Sequence, residues 1–217
     1  MRSRVLPPTV ALLAASAWCV ALLEVRRHAF GSGERWLVWN LTLAWVPFAL
    51  ALALWLVHRR RHTVAELLTL GVAWLVFLPN APYMLTDFVH LGTTHRLFDS
   101  IVLASFAFTA LALGFASLVL VQTVVSRVFG AVAGWGLAVS ALFLSSVGIY
   151  LGRVERLNSW DVLQRPHLLA SIARARLEDP FGNRYLIGFI VAVGGFLTLA
   201  YVTLWGVAAM TAAVRRD

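Results

Sequence analysis

Six long apolar stretches separated by short polar gaps dominate this chain, and they leave few folds open to it. They run over Val5–Val25, Trp36–Val57, Val64–Leu78, Ser100–Val125, Val128–Leu151 and Tyr185–Val214. A segment crosses the hydrocarbon of a bilayer when about 20 apolar residues, each rising 1.5 Å, span roughly 30 Å. Five of the six reach that length. Only 13% of the residues are charged, about half the usual share of a soluble domain, so the chain has too little polar surface to face water alone. The expectation is an all-α integral membrane bundle of about six helices, forming one domain over residues 1–217.

The third stretch is the exception. Val64–Leu78 reaches only about 22 Å, and Pro79-Asn80-Ala81-Pro82 follows it. Proline offers no backbone N–H, which predicts a helix broken at Pro79–Pro82, with Asn80 as N-cap of a second piece running to Leu91. Irregular backbone at this depth is tolerated against protein or a wet cavity, not against lipid. The 152–184 connection is the longest. Within it Pro166–Leu177 suits a short interfacial helix, with Leu168, Leu169 and Ile172 as its apolar face.

The formal charge is +8, carried by arginine without a single lysine. In a soluble protein that would suggest nucleic acid. Here the arginines cluster at span ends, where they meet anionic lipid headgroups, so the expected partner is the bilayer and not nucleic acid. Arginines stand at both ends of the spans, so the positive-inside rule gives no clean orientation. The dense run His58-Arg59-Arg60-Arg61-His62 tips the expectation towards cytoplasmic termini. The first apolar run continues past Ala15-Ser16-Ala17, which favours a retained helix over a cleaved signal. Cys19 is the sole cysteine, which rules out an intramolecular disulfide. Trp36, Trp39, Trp55, Trp160 and Trp205 read as interfacial anchors, and Asn40 and Gln122 as interhelical hydrogen-bonding residues.

Two polar constellations carry the chemistry. Asn80, Tyr83, Asp87 and His90 recur at helical spacing, with Asp99 shortly after. An Asp and a His one turn apart can share a proton, bind a divalent cation or grip a headgroup. The second set is Arg153, Arg156, Asn158 and Asp161, preceded by the small-residue stripe Ser145, Gly148, Gly152 that admits a close helix neighbour. If the fifth helix continues past Gly152, the planar forks of Arg153 and Arg156 project together and suit carboxylate or phosphate. With six spans, the third-to-fourth and fifth-to-sixth connections emerge on one side of the membrane. Both sets can therefore meet in one pocket.

Two readings of that pocket stand side by side. In the first the protein is non-enzymatic, and Asn80, Tyr83, Asp99, Arg153, Arg156 and Asn158 bind a lipid headgroup, a small ligand or a partner subunit. In the second it is a membrane-embedded enzyme acting on a phosphate-bearing headgroup or lipid-linked substrate, with Asp87, His90 and Asp161 as catalytic residues. Beside both lies a plainer option, since structural ion pairs outnumber catalytic ones: Asp and Arg simply pin the loops together. No Asp, Glu, Lys, Arg or His falls near the middle of a predicted span, which ranks transport low, and no Walker, HExxH, GxSxG or CxxC pattern occurs. Neither a cofactor, a metal nor an oligomeric state is assigned by the sequence.

The segments Phe77–Leu91 and Gly152–Asp161, with Trp39–Pro47, resemble the signatures of domain-of-unknown-function family thirteen-sixty-one. The likeness covers roughly Trp36 to Pro166. It implies a multipass protein of a bacterial cytoplasmic membrane, and it implies no activity.

Overall fold

A computed structural model describes residues 2–31, 34–60, 63–91, 94–156, 164, 167, 171, 174 and 182–214. It is all-helical among the described residues. Helices α1 (Arg2–Phe30), α2 (Arg35–His58), α3 (Val64–Phe77), α4 (Asn80–Tyr83), a 3-10 segment (Met84–His90), α5 (Arg96–Phe129), α6 (Ala131–Arg153) and α7 (Arg184–Val214) follow in order. Taking α3, α4 and the 3-10 segment as one interrupted span, six helical spans are long and apolar enough to cross a membrane.

The long helix α5 is the axis of the bundle. It packs against α1, α2, α4, the 3-10 segment and α6, while α7 packs on α6. Its buried row includes Phe106, Ala110, Leu113, Ser117 and Val121, recurring at the three- and four-residue steps of one helix face. Water is absent from the bilayer core, so interhelical polar contacts supplement dispersion there. Trp74 Nε1 donates to Ser117 Oγ at 3.1 Å, Trp45 Nε1 to Ser16 Oγ at 3.1 Å, and the Tyr201 hydroxyl to Gln122 Oε1. Each such bond is worth about 0.6 kcal/mol.

Several boundaries differ from the sequence expectation. The fourth span extends to Phe129, so Val128 closes it instead of opening the fifth. Gly130, at φ 91, makes the turn between them. The fifth helix stops at Arg153 and does not carry Arg156 onto a further turn; Arg156 lies exposed at φ 57. Of the predicted interfacial helix, His167, Ser171 and Arg174 are helical and exposed. Its remaining residues lie outside the described residues, as do Asn158 and Asp161.

The third span is interrupted where the prolines predict, but in a different manner. Helix α3 opens on a capping box, Thr63 Oγ1 accepting from Glu66 N at 3.2 Å and Glu66 Oε2 accepting from Thr63 N at 2.8 Å. After Phe77 the backbone stays right-handed through Leu78 (φ -53) and Pro79 (φ -58). A side-chain N-cap needs a residue in extended conformation, and the chain provides none here. Asn80 therefore does not cap a second helix. Its Nδ2 donates backwards to the Phe77 carbonyl at 2.9 Å, at the turn the prolines disturb. One turn of α-helix then tightens into the seven-residue 3-10 segment. This wedge sits close to its neighbours: a Cβ built on Gly148 of α6 would stand 2.5 Å from Pro79 Cγ, and one on Gly114 of α5 would stand 2.9 Å from Ala81 Cβ. Glycine at those two places is what lets the broken span reach the bundle interior.

Candidate functional site: a polar cluster at one end of the bundle

The C-terminal ends of α1, the third span and α6 lie at the same end of the bundle as the N-terminal ends of α2, α5 and α7. There, Arg153 on the last turn of α6 reaches across to the 3-10 segment. Its Nη2 donates to Asp87 Oδ1 and to Thr86 Oγ1 at 2.6 Å, and its Nε donates to Thr86 Oγ1 at 2.9 Å. Its Nη1 lies 3.1 Å from His90 Nε2. The guanidinium also lies over the ring of Tyr83, with Cζ 4.5 Å from the centroid, a cation–π placement. Period three aligns Met84, Asp87 and His90 along the segment and brings Tyr83 and Thr86 round to the same neighbour.

Asp87 is the deepest member, with a side chain 2% exposed against 21% for Arg153. Its second oxygen accepts a longer bond, 3.4 Å, from Asn40 Nδ2 on α2. A carboxylate so buried survives only when paired and hydrogen-bonded, and both conditions are met here. The pair joins the third span to α6, and Asn40 ties in α2.

A second ion pair lies beside the first. Arg26 of α1 grips Asp99 of α5 with two parallel bonds, Nε to Oδ1 at 2.7 Å and Nη2 to Oδ2 at 3.2 Å, the bidentate fork that favours arginine over lysine. Glu34, just before α2, lies 4.0 Å from the same guanidinium. His90 stands between the two pairs. It contacts Arg153 on one side and, with Arg26, Glu34 and Asp99, lines a cavity of about 10 Å3 on the other, room for about one water. The Trp36 ring packs against that of His90 in a T-shaped arrangement, centroids 5.4 Å apart.

Of the residues singled out from the sequence, Tyr83, Asp87, His90 and Arg153 come together around one guanidinium. Asp99 lies in the neighbouring pair with Arg26, not with Arg153, because α1 delivers a closer cation. Asn80 bonds the Phe77 carbonyl, and Arg156 contributes to neither pair. Thr86, Asn40, Trp36 and Arg26 join the cluster without having been assigned to it. Thr86 follows Tyr83 at the step of three that a 3-10 turn repeats, which is a readable signal. Arg26 lies 73 positions from its partner and carries no local one. Among the described residues no group of three or more His, Cys, Asp or Glu could hold a metal ion.

A larger concavity lies elsewhere among the described residues. A groove of about 500 Å3 between α5 and α7, lined by Phe115, Val119, Tyr201, Leu204 and Trp205, is almost wholly apolar.

Fold and cluster together define a multipass membrane protein, all-helical with six spans among the described residues, with a buried ion-pair network at one end. Residues 39–200 match the family described as "Protein of unknown function (DUF1361)", and the chain belongs to that family. No curated protein and no solved structure matches it.

Proposed function

We propose that this is a non-enzymatic multipass membrane protein. On this reading its polar cluster locks the interrupted third span into the bundle, while the rim around the cluster meets anionic lipid headgroups. The observation that carries the reading is the commitment of Arg153: its Nε and Nη2 are spent on Thr86 and Asp87, its Nη1 faces His90, and its face covers Tyr83. An arginine poised for phosphate keeps its fork open; this one closes on an internal carboxylate. Asp87 is likewise held by Arg153 and Asn40, which makes it a poor base or metal ligand. The enzyme reading requires Asp87, His90 and Asp161 around a substrate-sized cavity; among the described residues the cavity beside His90 has room for about one water.

For the rim, Arg35, Arg96, Arg156 and Arg184 are exposed at the same end of the bundle. Their planar forks suit the phosphates of anionic headgroups in the adjoining leaflet. At the opposite end His58, Arg59 and Arg60 close α2, with Arg59 over the ring of Trp55 at 4.9 Å. We place that end, and with it both termini, on the cytoplasmic side of a bacterial cell membrane.

The test is membrane abundance together with lipid retention. Asp87→Asn and Arg153→Ala should lower the folded protein recovered from membranes, and Arg35→Gln with Arg96→Gln should leave abundance intact while reducing anionic lipid carried through purification. Full abundance of Asp87→Asn and Arg153→Ala would remove the lock.

A further inference from the structure

His90 occupies a position the lock does not explain. Arginine has no acceptor atom, so in the 3.1 Å contact between Arg153 Nη1 and His90 Nε2 the arginine must donate. His90 Nε2 is then unprotonated. A proton there would set two cationic donors against each other and break the contact.

The other charges around His90 come from every element packed against it. Arg26 faces it from α1, Glu34 from the entry to α2, Asp87 from its own segment, Asp99 from α5 and Arg153 from α6. His95 lies near enough to Asp99 to act on its charge; the Trp36 ring packs against His90, and the rest of the imidazole is exposed. Two arginines against three carboxylates leave the set one negative charge from neutrality. A proton on His90 supplies the missing charge, and Glu34 and Asp99 line the same cavity as His90, which has room for about one water.

We propose that His90 is a proton-operated junction between the two ion pairs. Neutral, it accepts from Arg153 and helps tie α6 to the third span. Protonated, it releases Arg153 and turns to the carboxylates of Glu34 and Asp99, transferring its hold from α6 to α2 and α5. The inference rests on the lock proposed above, since without the Arg153–Asp87 pair there is nothing to loosen.

Amide hydrogen exchange on the full chain in lipid nanodiscs, corrected for the intrinsic pH dependence, reads both states. Protection over Thr86–Leu91 and the last turn of α6 should fall at least about tenfold between about pH 8 and about pH 5.5. In His90→Gln, whose amide oxygen accepts from Arg153 but takes up no proton, protection should stay high throughout. Protection that holds at both pH values in the wild type, or falls equally in His90→Gln, overturns the junction and leaves the lock standing. Protection absent at every pH removes the lock as well. Should His90→Gln not accumulate, Glu34→Gln decides: losing one acceptor carboxylate should move the midpoint to lower pH, and an unmoved midpoint refutes the proposal.

Discussion

Removing Arg153 should cost far more than removing its charge partner. Arg153→Ala leaves the Asp87 carboxylate buried with only the 3.4 Å bond from Asn40. Stranding one member of a buried pair costs about 3–5 kcal/mol. Asp87→Asn is milder, because Arg153 keeps Thr86, Tyr83 and the route to solvent that its 21% exposure provides; about 1–3 kcal/mol is expected. The double variant Asp87→Asn/Arg153→Ala strands no charge at all. It should therefore be more stable than Arg153→Ala alone, with a coupling of about 2 kcal/mol or more. Thermal unfolding in detergent, followed by retention of the monodisperse peak, measures all three. At about 2–4 °C per kcal/mol for a chain of this size, Arg153→Ala should lose on the order of 10 °C, and the second substitution should recover part of it. Additive losses would refute the reasoning, because they would mean the two residues do not act on one another.

Three further outcomes follow from the packing. Gly148→Ala drives a methyl to 2.5 Å from Pro79 Cγ and should destabilise by about 1–3 kcal/mol, whereas Gly136→Ala, with nothing within 4 Å of the added carbon, should be neutral or stabilising by up to about 1 kcal/mol; the same melts compare them. Arg26→Lys keeps the charge but loses the two-bond fork on Asp99 and should cost about 1 kcal/mol, read as a lowered melting temperature. Trp74→Phe removes the indole donor to Ser117 and should cost about 0.6 kcal/mol for the bond, a small shift in the same assay.

The sequence makes the solvent, the span count and the break at Pro79–Pro82 readable, because each rests on a local rule: apolar length, or a missing N–H. It also brings Asp87, His90 and Arg153 to one end of the bundle by parity alone, since an even number of crossings separates the two connections. What it leaves hidden depends on details between helices. Asn80 looks like an N-cap until the backbone proves to remain right-handed through Pro79, which gives the side chain a carbonyl to serve instead of an amide. Arg156 looks equivalent to Arg153 until α6 ends between them. Asp99 could have paired with any of several arginines, and the choice of Arg26 is made by the packing of α1 on α5, which no spacing in the chain encodes. Thr86 becomes readable only when the segment is read with the period of a 3-10 helix instead of an α-helix.

The central claim is that one guanidinium joins α6 to the interrupted third span through Asp87. Dipolar-recoupling solid-state NMR on the chain in lipid, with 15N in arginine side chains and 13C in aspartate carboxyls, measures that contact directly. The account predicts a close guanidinium–carboxyl coupling, beyond that of the Arg26–Asp99 pair, which disappears in Asp87→Asn. A spectrum unchanged by that substitution would show that Arg153 and Asp87 do not meet.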